Sequence, residues 1–409
     1  MDPLPSAEAS KLGRRLAQLP IASSTVIDKY FAAKERFGDD ACDLQYGNPN
    51  DGPHMGYVEA MLKAVPPTGT DHYAYKLNEK ASRKVLTKAL LQRHGVPFEE
   101  EDIYLVNGAF AGILLSLNVL VDPGDEVLYV KPPWFFYETM IVQTGGIPVG
   151  VSCDPGTLVL DLETLLCAVT EKTKAIIFNN PHNPTGELYG PEFLTKLSEA
   201  LLKITRERGS PVYLISDEAY SDILHDGATF SATAAFYPYT FMIYTYSKVL
   251  LSPGQRIAYL ALPPTMPGRD AFQKVMLHSQ ISLGWCFPAA LLQHTLGDLE
   301  ELRSQFQVEK YTKRRDIFDK CLTSLGYQVK KNVKGCFYMM FRVPTASGND
   351  WEFCDALAEE GVLCLPGTTL EMPGWVRVSL TASDSMLERS LPVFERVMQQ
   401  FKVKELSQG

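Results

Sequence analysis

A chain of 409 residues exceeds what one hydrophobic core usually supports, so two domains, or a large one with a smaller one attached, are expected. Its 39 Lys and Arg against 48 Asp and Glu leave a net charge of −9, and with no cationic surplus for a phosphate backbone nucleic acid is excluded as a partner. With 45% hydrophobic and 21% charged residues the chain is neither disordered nor collagen-like, and no apolar run approaches the ~18 residues of a membrane span.

Two further classes drop out on residue spacing. The eight cysteines include no Cys-x-x-Cys pair, which argues against a zinc ribbon or a disulfide framework, and the seven histidines show no pair at metal-ligand spacing, so no metal is expected. The first twenty residues have charges interrupting every apolar stretch and no signal-peptide core, which points to a cytoplasmic protein.

In chain order, the first informative unit is a predicted strand, Asp102–Val106, that runs into Asn107-Gly108. The apolar helix Ala109–Leu120 follows and ends before the turn signal Asp122-Pro123-Gly124-Asp125. Lys174–Phe178 reads as a buried strand leading into Asn179-Asn180-Pro181-His182-Asn183-Pro184-Thr185-Gly186. The helix after it begins at Pro191 and is closed by Gly209. Pro211–Ile215 is the next strand and leads to Asp217-Glu218-Ala219-Tyr220, while Phe241–Tyr244 leads in the same way to Thr245-Tyr246-Ser247-Lys248. From about Gly284 onward long helical patterns alternate with short strands, such as the one from Gly335 to Phe341 and Trp375–Leu380.

Strands alternating with helices predict an α/β domain with a mostly parallel sheet, followed by a smaller α+β domain. The expected division is residues 1–58 as an N-terminal segment that joins the small domain, 59–295 as the large domain, and 296–409 as the small one. In open α/β sheets ligands bind beyond the carboxyl ends of the strands. Polar residues recurring at that point are therefore site candidates on position alone: Asn183, Asp217, Tyr220, Lys248 and, in Ser252-Pro253-Gly254-Gln255-Arg256, Arg256.

Taken together, the order and spacing of these residues resemble the fold-type I pyridoxal-phosphate enzymes, most closely the class I/II aminotransferases that include aspartate aminotransferase. From Gly47 to Arg377 every expected motif has a counterpart. The resemblance implies pyridoxal 5′-phosphate as cofactor, held as a Schiff base on Lys248, whose amine then shuttles the substrate α-proton. It implies Asp217 opposite the pyridine nitrogen, with Tyr220 and Asn183 on the 3′-oxygen, and Trp134 stacked on the ring. The phosphate would meet the N–H groups of the Gly108-Ala109-Phe110 turn at a helix N-terminus. Arg256, Thr245 and Ser247 add to that anion site, and Tyr73 would reach the phosphate of a neighbouring subunit in a homodimer with shared sites. Arg377 would grip the substrate α-carboxylate by a two-pronged pair, beside Asn183 and Trp134, with Gly47 closing the pocket.

The implied reaction moves an amino group between an L-amino acid and a 2-oxo acid by a ping-pong cycle. A lyase outcome on the same site is the alternative, because elimination shares the cofactor's chemistry. A non-catalytic regulator is disfavoured, since Gly47 leaves little room for a basic DNA-binding extension before it. Three positions depart from the family pattern: Ala258 stands for a usual glycine, Phe110 for a residue that is often polar, and Asn78 for a common glycine. The second carboxylate of an acidic donor would need a cation that the pattern does not supply, so apolar donors are as plausible as acidic ones. Tyr75, Trp285, Cys286 and Phe287 are candidates for the side-chain pocket.

Overall fold

The computed structural model describes residues 24–285, 287–344 and 348–408. The N-terminal stretch read for a targeting signal and the pocket candidate Cys286 lie outside them. Twelve strands form three sheets among the described residues. The large one has seven strands in the order β2 (Ile103–Val106), β8 (Ala258–Ala261), β7 (Thr240–Thr245), β6 (Tyr213–Asp217), β5 (Thr173–Asn179), β3 (Glu126–Lys131) and β4 (Ile147–Ser152). Every pairing is parallel except those of β8, which runs antiparallel to both β2 and β7.

Why these segments are strands is plain from burial: β2, β7 and β8 are buried along their whole length, as are all but the second residue of β5 and the first of β6. Strands covered on both faces read as continuous apolar runs rather than alternating ones. Helix Ala109–Leu120 packs on the sheet and is apolar nearly all round because Ile113, Leu115, Leu117 and Leu120 are all buried. Gly209 closes helix Pro191–Arg208 in the left-handed conformation, φ 73°, as the sequence predicts.

A three-stranded antiparallel sheet, β11 (Leu365–Pro366), β12 (Trp375–Ser379) and β9 (Tyr338–Arg342), forms the second layer. The N-terminal strand β1 (Cys42–Asp43) pairs in parallel with β10 (Val362–Leu363), so the start of the described chain is tied to its C-terminal third. Among the described residues no helix is long and apolar enough to cross a membrane.

Candidate active site

Sheet register brings the candidates to one edge. The parallel strands β3, β5, β6 and β7 all end there, delivering Trp134, Asn183, Asp217 with Tyr220, and Lys248 in turn. Thr245, the last residue of β7, faces Ala258, the first of the antiparallel β8, and Ala258 in turn faces Val106 at the end of β2. A strand beginning where its neighbours end places Arg256, just before β8, beside Gly108, just after β2.

Asp217 is buried and, among the described residues, its carboxylate has no cation within ion-pair distance. Tyr137 donates its hydroxyl to Oδ2 at 2.6 Å, and the Ala219 N–H reaches Oδ1 at 3.3 Å. Burial pushes the carboxyl above its ordinary range, while these two donors and the nearby Lys248 charge pull it back. A cation brought to Asp217 would oppose that burial and favour the carboxylate form. Asn179 positions this part of the site: its Nδ2 donates to the Asp217 carbonyl at 2.8 Å and its Oδ1 accepts from the Asn183 N–H at 2.6 Å.

The anion cradle is built from glycine and arginine. Gly108 has φ +84°, and a Cβ there would overlap the Arg256 guanidinium. Arg256 donates to the Pro253 carbonyl at 2.7 Å and has no carboxylate partner among the described residues, so its charge is free to meet a ligand. Thr245 and Ser247, both buried, share a hydroxyl–hydroxyl bond of 2.6 Å. Ala109 opens the helix at the same corner and Phe110 follows it.

Arg377 approaches from the small sheet and is only 2% exposed. Its Nη2 donates to the Gln45 carbonyl at 2.8 Å and its Nη1 to Asn183 Oδ1 at 3.4 Å, while its plane lies 4.1 Å over the Tyr338 ring. Its Nε has no partner. Among the described residues three Lys or Arg side chains are buried, and Arg314 and Lys330 both have carboxylates whereas Arg377 has none. A desolvated guanidinium without an anion is costly unless a ligand supplies one. Gly47 touches the same place, since a Cβ there would collide with the Tyr338 hydroxyl. Lys248 Nζ sits 5.3 Å over the Tyr220 ring and 5.6 Å over Phe337.

Sequence reasoning missed Tyr137, Asn179, Gln45, Phe337 and Tyr338. Asn179 sits inside a motif already singled out and Tyr137 three residues past Trp134, but which partner each finds depends on strand order. Tyr73 is not brought into its own chain's site: it is 56% exposed and its phenol bonds the Val65 carbonyl. Of the pocket candidates, Tyr75 and Phe287 lie with Tyr73 around one surface hollow, and Trp285 lends its carbonyl to Asn107 Nδ2 at 3.2 Å. His182 is fully enclosed and bonded to Thr185 Oγ1 at 2.8 Å, with burial lowering it to about 3, so it is a neutral loop residue.

Sheet order, and what gathers at the carboxyl edge, define the class: a fold-type I pyridoxal-phosphate enzyme. Within it the chain belongs to the aminotransferase class I and II family, whose model matches residues 40–393. Aminotransferases of this family use pyridoxal 5′-phosphate and act on amino acids and 2-oxo acids. The aspartate/prephenate aminotransferase of Thermus thermophilus is 28% identical over 95% of this chain and 98% of its own. The tyrosine aminotransferase of Caenorhabditis elegans is 29% identical over 86% of this chain and 77% of its own. A solved aminotransferase from Eubacterium rectale superposes with a TM-score of 0.86 at 26% identity, over 95% of this chain and 98% of that one.

Proposed function

We propose that Lys248 carries the cofactor and that the surrounding groups divide between cofactor and substrate. The observation that carries the substrate half is Arg377, a buried cation with no carboxylate, stacked on Tyr338 and aimed by Gln45 and Asn183. It takes the α-carboxylate of an amino acid or 2-oxo acid, the one group common to every substrate of the reaction.

When bound, pyridoxal phosphate supplies an electrophilic aldehyde and a ring that accepts the electron pair left by a departing α-proton. Asp217 would face the pyridine nitrogen and favour its protonated form, with the Tyr137 hydroxyl donating to that carboxylate. Asn183 gives its amide oxygen to Arg377, which leaves Nδ2 as the donor that, with the Tyr220 phenol, would hold the cofactor's 3′-oxygen. Gly108, Ala109 and Phe110 offer main-chain N–H groups to the phosphate at the positive end of their helix, with Arg256, Thr245 and Ser247 completing the cradle. Trp134 would cover a face of the cofactor ring. Lys248, set over two aromatic rings and in no ion pair among the described residues, moves the proton at the substrate α-carbon.

We also infer a homodimer in which Tyr73 serves the phosphate of the second copy. Its exposure, with that of Tyr75 (100%) and Leu77 (51%) alongside, supports this. The division into 1–58 plus 296–409 and 59–295 is supported by the β1–β10 pairing. Relatives named for aspartate, prephenate and tyrosine leave the donor side chain open.

The test is the absorption spectrum of the cofactor-loaded protein as single amino acids are added, with Lys248→Ala as control. The expected result is a visible band that one amino acid abolishes with formation of its oxo acid, and no such band in the variant. An unchanged band in Lys248→Ala removes the lysine assignment. Ammonia accumulating without a second oxo acid replaces transamination by elimination.

A further inference from the structure

Resting on the aminotransferase reading, we propose that the amino donor carries an apolar, by preference aromatic, side chain, selected by a wall of which Phe110 is the outer edge. Phe110 is the second residue of the helix that opens at the cradle, and its ring remains 39% exposed. It meets Trp134 edge-on at 4.2 Å and Phe136 at 5.2 Å. Trp134 in turn stands 5.4 Å from Tyr137, whose hydroxyl holds Asp217. One aromatic surface therefore runs without a break from the buried carboxylate out to solvent. Phe135 extends it, 4.6 Å from Phe136 and packed toward Leu365 and Leu370 of the small domain.

An acidic donor would bring a second carboxylate into this region, and a desolvated carboxylate needs a cation. Lys248, Arg256 and Arg377 each have other work. Lys131, at the foot of the wall, is already neutralised by Glu371 at 2.7 Å. Glu138, next to Tyr137, is a partly buried carboxylate of the same sign as the one to be bound. Charge here opposes an acidic side chain, while ring edges and faces suit an aromatic one, which packs in edge-to-face or offset geometry.

The experiment uses the cofactor-loaded enzyme with phenylalanine, leucine, alanine, aspartate and glutamate in single half-reactions. In parallel, calorimetry measures binding of two unreactive acids, 3-phenylpropionate and maleate. Phenylalanine is expected to exceed aspartate in kcat/KM by about tenfold or more, with 3-phenylpropionate the tighter ligand. Phe110→Ala should lower the phenylalanine-to-alanine ratio about tenfold, and Phe110→Lys should raise the aspartate-to-phenylalanine ratio by at least about as much. A wild-type preference for aspartate and maleate overturns the wall while leaving the aminotransferase reading intact, as do ratios that both variants leave unchanged. Failure of every amino acid to react overturns that reading and this inference with it.

Discussion

Replacing Arg377 by methionine keeps most of the side-chain volume and removes the charge. In the ligand-free protein the guanidinium has no carboxylate, and leaving a buried charge unpaired costs ~3–5 kcal/mol. Part of that is offset here by the Gln45 carbonyl at 2.8 Å and by the Tyr338 ring at 4.1 Å, the ring contributing about 2 kcal/mol when desolvated. The two sides nearly cancel. Arg377→Met is therefore expected to leave the melting temperature of the free protein within a few degrees of the parent, or to raise it. With substrate the balance is different, because a buried, hydrogen-bonded charge pair lost from one side costs ~2–5 kcal/mol. That corresponds to a fall in kcat/KM of about 30- to 5000-fold for every amino acid, whatever its side chain. Thermal unfolding without ligand and single-turnover kinetics across several amino acids measure the two halves. A variant within about threefold of the parent in kcat/KM would refute the carboxylate role. A large drop in melting temperature with proportionate loss of activity would make Arg377 a structural residue instead.

Two other perturbations test the cradle and the buried acid behind it. Gly108→Ala puts a Cβ at φ +84° and into the Arg256 guanidinium, so cofactor affinity should fall at least about tenfold; equilibrium dialysis with pyridoxal phosphate measures it, and unchanged affinity would move the phosphate elsewhere. Glu218 is 1% exposed, accepts from Ser216 Oγ at 2.9 Å and from the Thr233 N–H at 3.1 Å, and is pushed up to about 8 by burial. It binds its proton more tightly folded than unfolded, so its contribution to stability is complete below about 4.5 and is lost as pH rises through about 8. Glu218→Gln can accept the same two bonds and does not ionise. Its melting temperature should fall less than the parent's across that window and be the higher of the two at pH 8; parallel curves would show that Glu218 does not titrate there.

Local chemistry explains what was legible beforehand. Helix Ala109–Leu120 ends where its apolar run meets Asp122-Pro123-Gly124, and Gly209 stops helix Pro191–Arg208 because it takes a left-handed conformation at little cost. Strands β5, β6 and β7 lie where continuous apolar runs predicted them, to within two residues at each end, and the polar motifs follow at once. Lys248, Asp217 and Asn183 were readable as candidates for that reason: each stands at or just past the end of a short apolar run, where the chain must leave the sheet, whereas Arg256 was readable from the Ser-Pro-Gly-Gln turn before β8. The pocket candidates were less legible, since Tyr75 and Phe287 have only composition behind them and Tyr73 stands outside its own chain's site.

Sequence alone determined the class of the fold and the cofactor chemistry and proposed the residues around it, because periodicity, turn residues and motif spacing act over a few neighbours. Tertiary structure decided who meets whom. Asp217 receives the hydroxyl of Tyr137, 80 positions away, only because both stand at the same sheet edge. Arg377 meets the carbonyl of Gln45, 332 positions away, because Leu44, the residue before it, accepts the N–H of Ser379 as the small sheet folds back. The antiparallel β8, which sets Arg256 against Gly108, follows from strand pairing, and the lack of any carboxylate beside Arg377 is a property of packing. Such contacts depend on register between segments hundreds of residues apart, and local propensities carry no record of that register.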